Sequence, residues 1–183
     1  MAYPGDISLV GITSNKGITI AMRSEEFFVY HLGAHIYCCA YDKVFVRKIM
    51  SGVRKQLAAK YLDQDQKIPV RKAQQLLWQK YPAIVSAPVL FAGHDYDTNR
   101  QYLFAPQKDG IVTNNRFAAC GSGRALEQAR KWVATKWYRD QSLMESQQMA
   151  QMVLKNWDSP QKPFKDVIVL YRRLEDAPTD SDE

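Results

Sequence analysis

The stretch that decides the fold is Pro88-Val89-Leu90-Phe91-Ala92-Gly93-His94-Asp95, a continuous apolar run typical of a buried strand. It is followed by Asp97-Thr98-Asn99-Arg100, which consists largely of turn-forming residues. The chain then returns through Gln101–Ala105, a second β-rich run. Together the three segments predict a β-hairpin in the middle of the chain.

Upstream of this hairpin the hydrophobic period is helical. From Asp42 to Leu62, apolar residues recur on one face while bases occupy the other. A second helix is predicted from Pro69, which suits the first turn of a helix, to about Tyr81, where Pro82 ends it. Four β-rich runs precede the two helices: Ile7–Ile12, Gly17–Met22, Phe27–Tyr30 and His35–Tyr41.

Downstream of the hairpin the same alternation repeats. A third strand of this block is predicted over Ile111–Cys120, and Gly121-Ser122-Gly123 opens a third helix. A fourth helix starts at Ser142, with Glu145 three residues on, as a capping box requires. Phe164–Tyr171 is the last predicted strand. This order predicts an α+β fold, a four-layer α–β–β–α sandwich whose two sheets each carry a helix pair.

The charge is unevenly distributed along the chain. The net charge is +6, and five of the 19 acidic residues fall within 175–183. Residues 1–174 therefore hold 25 basic against 14 acidic residues. We expect one domain over 1–174, followed by an acidic tail, 175–183, with too little apolar surface to order itself. A basic body suits an acidic protein partner or nucleic acid.

Composition argues against several classes of protein. No apolar run is long enough to span a bilayer, and the first residues show no secretory signal. The odd count of cysteines (Cys38, Cys39 and Cys120) favours buried free thiols in a reducing compartment, so we expect the cytoplasm and nucleus. The three histidines, His31, His35 and His94, share no metal-ligand spacing with these cysteines, so no metal or cofactor is expected. His31 and His35 are predicted to be partly exposed at strand ends.

Several local strings, in this order and spacing, resemble the proteasome family of N-terminal-nucleophile hydrolases. They are Gly17-Ile18-Thr19-Ile20-Ala21, the central hairpin, Ala118-Ala119-Cys120-Gly121-Ser122-Gly123 and Phe164-Lys165-Asp166-Val167-Ile168-Val169. The resemblance covers Ile7 to Tyr171 and implies the four-layer sandwich of that family. No alpha-type extension precedes the first strand, so the beta class fits better, with the family's fourth beta position nearest.

By this resemblance, active members use an amino-terminal threonine freed by self-cleavage of a Gly–Thr bond. Anchoring on Gly17 places that nucleophile near Asp6 or Ile7. The family's catalytic aspartate falls near Arg23, and its lysine falls in a loop shortened here to Glu25-Glu26. The resemblance therefore implies a subunit with no catalytic residues.

Two further positions match helper residues of the active family members. Ser122 matches the serine of the Gly-Ser-Gly turn, and Asp158 matches an aspartate late in the pattern. A structural role is favoured for both, because Ser122 can cap the third helix and Asp158 can lie in the turn after the fourth. Four tryptophans on the helices suit the core or subunit packing: Trp78, Trp132, Trp137 and Trp157.

The resemblance predicts a structural beta subunit that packs with other alpha and beta subunits in the heptameric rings of a 28-subunit core particle. In that family, the first helix pair faces the alpha ring and the second pair faces the opposite beta ring. The bases between Lys43 and Lys60 would then meet an acidic surface. Two alternatives stay open at this point. One is an active hydrolase using Ser8 or Thr13, which requires cleavage after Ile7 or Ile12. The other is a basic nucleic-acid-binding protein, although no aromatic-and-basic sheet motif or helix-turn-helix is recognisable.

Overall fold

The computed structural model describes residues 7–22, 27–62, 67–107, 110–113, 116–121, 123–157 and 166–171. The predicted acidic tail, 175–183, lies outside these residues. In the described part of the chain, no helix is both long and apolar enough to cross a membrane.

Within the described residues, nine strands and four helices follow one another in nearly the predicted order. The strands are β1 (Leu9–Ser14), β2 (Gly17–Met22), β3 (Phe27–Gly33), β4 (Ile36–Tyr41), β5 (Leu90–Asp95), β6 (Arg100–Gln107), β7 (Gly110–Thr113), β8 (Phe117–Cys120) and β9 (Asp166–Tyr171). The helices are α1 (Val44–Lys60), α2 (Val70–Lys80), α3 (Gly123–Lys136) and α4 (Leu143–Trp157). A short 3₁₀ helix, Pro82–Ser86, follows α2 and was not predicted.

The strands form two antiparallel sheets. One has the order β8-β1-β2-β9, and the other has the order β3-β4-β5-β6-β7. The predicted central hairpin is the β5–β6 pair, with Phe91 opposite Phe104. Its turn holds Asn99 in the left-handed region at φ 55°, a conformation that asparagine tolerates better than most residues.

Three buried clusters hold the layers together. Side chains of Leu9, Ile18 and Leu90 belong to the cluster between the sheets. The α1–α2 pair packs its buried stripe on the outer face of the five-stranded sheet, and the α3–α4 pair does the same on the four-stranded sheet. The predicted α+β, four-layer α–β–β–α sandwich is therefore confirmed. Each helix stripe contains residues predicted from the helical period, including Val46, Val53 and Leu57 on α1.

The predicted continuous strand Ile111–Cys120 is wrong. Its first half is β7, at the edge of the five-stranded sheet, and its second half is β8, at the edge of the other sheet. The polar residues between Thr113 and Phe117 interrupt the apolar pattern, and there the chain crosses from one sheet to the other. The two halves thus bond to different neighbours, β6 and β1.

The first turn of α2 depends on the end of β5. Pro69 at the N-cap supplies no side-chain hydrogen bond. Instead the Val70 amide donates to Oδ1 of Asp95, 25 positions later in the chain, at 2.9 Å. Beside this contact Gly93 packs so closely on Val70 that a Cβ would lie 2.6 Å from its Cγ1. The hydrogen bond and this close packing therefore hold the start of α2 against β5.

The capping box predicted for the fourth helix is present. The Ser142 amide donates to Oε2 of Glu145 at 2.7 Å, and the Glu145 amide donates to Oγ of Ser142 at 3.1 Å. Hydrogen bonds from Ser142 and from the Tyr138 hydroxyl hold the pKa of Glu145 below its usual value, with the Tyr138 contribution the larger. The charged carboxylate also lies in the first turn, where the helix dipole favours it.

Candidate functional site

The two residues that the resemblance places at the nucleophile position, Asp6 and Ile7, precede β1. Ile7 is fully buried, and its side chain belongs to the cluster beneath α3 and α4. Its amide donates to the carbonyl oxygen of Trp157 at 3.0 Å, which ties the entrance of β1 to the end of α4. An isoleucine offers neither a hydroxyl nor a thiol, so this side chain can pack but cannot attack a carbonyl. Asp6, the other candidate, lies outside the described residues.

Ser8 is hydrogen-bonded to Cys120 at the end of β8, the strand that pairs with β1. Its amide donates to the Cys120 carbonyl at 2.9 Å, and its hydroxyl donates to the same oxygen at 3.5 Å. The side chain is partly exposed. An amino-terminal nucleophile needs a free amine as its base, whereas the Ser8 nitrogen is an amide engaged in the sheet.

Thr13 lies within β1 and is only 3% exposed. Its amide donates to Arg116, and its carbonyl accepts from Nε1 of Trp137 at 2.8 Å. Cleavage in front of Thr13 would remove Leu9, Val10 and Ile12, all of which are fully buried. Thr13 is thus built into the core of the four-stranded sheet.

The remaining positions inferred from the resemblance are Arg23, Glu25, Glu26, Ser122 and Asp158, and all lie outside the described residues. Three of them, Arg23, Glu25 and Glu26, lie between β2 and β3, and the bounds of these two strands fix the length of the connection. β2 ends at Met22 and β3 begins at Phe27, so four residues join one sheet to the other. A connection of this length has little room for a substrate pocket.

The three cysteines, Cys38, Cys39 and Cys120, are free and buried, as predicted. Burial raises the pKa of the Cys120 thiol to about 12, and a backbone hydrogen bond involving Val89 lowers it by less. The thiol itself donates to the Val89 carbonyl oxygen at 3.1 Å, which favours the protonated form. Burial also raises the pKa values of Cys38 and Cys39. Because the thiolate is the nucleophilic form, these side chains are unreactive near neutral pH.

The histidines differ in their surroundings. His31 is largely exposed, and the partial burial of its ring together with the Arg54 charge lowers its pKa. The prediction of partial exposure is wrong for His35, which is fully buried. The short turn after β3 folds it inward, where Nε2 lies 2.8 Å from the Ile68 carbonyl oxygen. His35 and His94 both contact the ring of Tyr96, at 5.5 and 5.1 Å between ring centroids.

In the part of the chain that the structure describes, no group of histidine, cysteine, aspartate and glutamate side chains could hold a metal ion.

The tryptophans lie where the helices meet the sheets. Trp78 packs on the α1–α2 cluster, and the other three pack on the α3–α4 cluster. The rings of Trp132 and Trp157 are 6.0 Å apart, and Nε1 of Trp157 donates to Gln128 at 3.1 Å. Each of the four remains partly exposed, which suits both core packing and contact with another subunit.

Among the described helices, α1 carries the highest net positive charge, because its bases are not offset by any acidic residue. Every base on the helix is exposed: Arg47, Lys48, Arg54, Lys55 and Lys60. The helix contains no acidic residue. An open groove of about 450 Å³ lies along this face. The predicted basic face is therefore present: Arg47, Lys48 and Lys55 line this groove, whereas Lys60 lies beside α2.

Sequence reasoning missed two features of this face. Val44 and Phe45 are 64% and 53% exposed at the start of α1, although both are large and apolar. Gly52 lies in the middle of the helix with no atom within 4 Å of the place its Cβ would take. The sequence does show Gly52 inside a helical pattern, and this glycine could have indicated an unusual position on the helix.

Comparison with known proteins agrees with the two-sheet architecture. No curated protein matches the chain significantly. The family model described as "Proteasome subunit" matches residues 3–163, which include most of the described strands and all four helices. The chain therefore belongs to the proteasome subunit family.

Proposed function

We propose that this chain is a non-catalytic beta-type subunit that helps to build the rings of a proteasome core particle. Membership of the family makes the chain a component of such a particle, assembled with other proteasome subunits in rings. The family is linked to threonine peptidase complexes. The finer assignment, beta-type and without its own peptidase activity, is the proposal.

One observation carries the non-catalytic part. The resemblance places the nucleophile near Asp6 or Ile7, and of these Ile7 is fully buried, with its amide hydrogen-bonded to the end of α4. The four-residue connection from β2 to β3 and the protonated, buried thiols support the same conclusion. Within the described residues, Ser8 and Thr13 are the hydroxyls considered as substitutes, and the amides of both are hydrogen-bonded in the sheet.

The test is to purify a tagged form of the full chain from its own cells under native conditions. We expect a particle of core-particle size containing other proteasome subunits, and we expect this chain to keep the residues before Ser8 and Thr13. Intact-mass and amino-terminal analysis of the chain decide the second point. A mature chain that begins at Ser8 or Thr13 and hydrolyses peptides would overturn the non-catalytic assignment. Recovery as a monomer without other subunits would overturn the ring assignment.

The beta class follows from the sequence resemblance, and the subunit list of the purified particle tests it. We also propose the cytoplasm and nucleus as the location, which the three buried free thiols support, and one domain over 1–174. Nucleic acid remains a weaker alternative because the basic face of α1 could attract phosphates. The absence of salt-dependent binding of the purified chain to duplex or single-stranded DNA and RNA would dismiss it.

A further inference from the structure

A groove of about 560 Å³ lies between the end of α1 and the first part of α2. Leu57, Tyr61 and Leu76 line it with buried or half-buried apolar side chains. Lys60 and Lys72 also line it, and both are exposed, so that each helix contributes one cation. The groove therefore offers an apolar surface together with two positive charges.

The two cations of the groove have no acidic partner. Neither Lys60 nor Lys72 forms an ion pair with any residue that the structure describes. Nζ of Lys60 lies 5.7 Å from the centroid of the Tyr61 ring. The sequence of α1 contains five bases, that of α2 contains three, and neither contains an aspartate or a glutamate. A ligand that brings carboxylates suits this surface.

The same chain carries a segment of the opposite charge. Residues 175–183 contain no base, and five of the nine residues are acidic: Glu175, Asp176, Asp180, Asp182 and Glu183. Ala177 and Pro178 lie between these acids and add a short apolar stretch. The segment thus has the two properties that the groove would bind, carboxylates and a little apolar surface.

The chain leaves β9 at the end of the sandwich where α2 begins. Tyr171, the last residue of β9, pairs with Gly17 on β2, and Gly17 pairs with Ser14 on β1. The Ser14 carbonyl accepts from Nε2 of Gln101 at 3.0 Å, which connects β1 to β6. β6 pairs with β5, whose last residue, Asp95, accepts from the first amide of α2. A short path of contacts therefore joins the end of β9 to the start of α2.

The segment is long enough to reach the groove. Neighbouring strands lie about 5 Å apart and packed layers about 10 Å apart, so this path places the start of α2 within roughly 35 Å of Tyr171. The direct distance is shorter than the path. Twelve residues, 172–183, follow Tyr171, and an extended chain of that length spans about 40 Å. Lys72 lies only two residues into α2.

We propose that residues 175–183 dock in the groove between α1 and α2 of their own chain and place carboxylates at Lys60 and Lys72. Attachment to the same chain favours the contact, because a tethered segment has an effective concentration in the millimolar range. The helix pair of a second copy does not fit, because it brings bases and no acid. The contact forms within one chain and does not depend on assembly into rings. In the free chain it covers a basic surface that would otherwise attract other polyanions.

The first test labels the segment and observes the groove. Ser181→Cys adds one reactive thiol to the full chain, because Cys38, Cys39 and Cys120 are buried. A nitroxide on that thiol broadens the NMR signals of nearby amides. At low salt we expect the strongest broadening at the residues that line the groove and little at Lys48, near the start of α1. Salt at about 0.5 M should reduce the broadening at least threefold, since exposed ion pairs are screened.

Paired variants separate the groove from the general positive charge of the chain. Lys60→Gln/Lys72→Gln removes the two cations of the groove, whereas Lys48→Gln/Lys55→Gln removes two exposed cations of α1 outside it. We expect the first pair to reduce the broadening roughly threefold and the second pair to leave it unchanged. Equal effects of the two pairs, or broadening spread evenly over the basic residues, would show diffuse attraction and overturn the proposal.

A change in the segment alone guards against misfolding of the groove variants. Replacing its five acidic residues by the corresponding amides, Glu→Gln and Asp→Asn, alters no residue that the structure describes. We expect the broadening at the groove to disappear in this variant. Broadening that persists without the carboxylates would overturn the proposal.

Carbodiimide cross-linking identifies whose segment occupies the groove. The reagent joins lysines to carboxylates that they contact, and it is applied to an equal mixture of unlabelled and isotope-labelled full chains. Mass spectrometry should find Lys60 and Lys72 linked to residues 175–183 of the same isotopic form. Links between the two isotopic forms would replace the proposal by binding to a second copy, and the absence of links at both lysines would refute it.

Discussion

Replacing Ile7 tests directly whether the entrance of β1 is core or the remnant of an active site. The side chain is fully buried in the cluster beneath α3 and α4. Ile7→Val removes one methyl group and should cost about 0.5–1.5 kcal/mol in the free energy of unfolding. Ile7→Thr has the same shape as valine but places a hydroxyl in an apolar cluster, which adds roughly 1–3 kcal/mol. For a chain of this size, Ile7→Thr should lower the melting temperature by roughly 5–15 °C.

The assay is thermal and urea-induced unfolding of the three proteins, followed by circular dichroism. Valine is the matched control, because the difference between the two variants isolates the hydroxyl. A threonine variant as stable as the valine variant would refute the assignment of position 7 to the core.

Peptidase activity is assayed separately with Asp6→Gly/Ile7→Thr, which recreates a Gly–Thr bond. We expect no self-cleavage and no hydrolysis of fluorogenic peptides, because the positions of the family's aspartate and lysine are also altered. A processed, active double variant would show that the rest of the catalytic site survives.

The remaining predictions concern thiols, a cap and a close contact. In the native chain all three cysteines should resist alkylation at pH 8 and react fully in denaturant, since burial keeps them protonated; rapid labelling of the native protein would contradict this. The raised pKa of Cys120 means that stability is unaffected below about pH 9 and falls as the pH rises towards 12, which urea titrations across this range should show. Ser142→Ala should cost about 0.5–2 kcal/mol by loss of the cap on α4, whereas Ser142→Thr should retain most of the stability; equal unfolding midpoints would argue against the cap. Gly93→Ala should destabilise the chain by about 1–3 kcal/mol, and Val70→Ala in the same chain should restore part of that loss, because the added methyl group collides with Val70; no rescue would place the strain elsewhere.

The helices were predictable because each has an apolar stripe that the sequence displays by itself. Val46, Val53 and Leu57 recur at the helical period, and α1 buries all three together with Met50. The capping box at Ser142 is likewise a local signal, because both partners lie within four residues. Such features can be predicted from the sequence because the residues that form them lie in one short segment.

The parts that sequence reasoning missed depend on distant partners. Between Thr113 and Phe117 the chain passes from one sheet to the other, because β7 pairs with β6 whereas β8 pairs with β1 from the start of the chain. The burial of His35 depends on the Ile68 carbonyl, 33 positions away. The nucleophile position was obtained by resemblance, and its burial and its contact with Trp157 appeared only in three dimensions.

The contact between Asp95 and the first turn of α2 has a consequence for the order of events during synthesis. A helix of 11 residues is marginal on its own in water, and α2 takes its capping carboxylate from a strand that is made later. When Lys80 at the end of α2 has just left the ribosomal tunnel, Asp95 is still inside it, so the carboxylate that accepts from the first turn of α2 is not yet present. We therefore expect α2 to remain labile on the nascent chain until Asp95 emerges, so that helix and hairpin become protected from hydrogen exchange together.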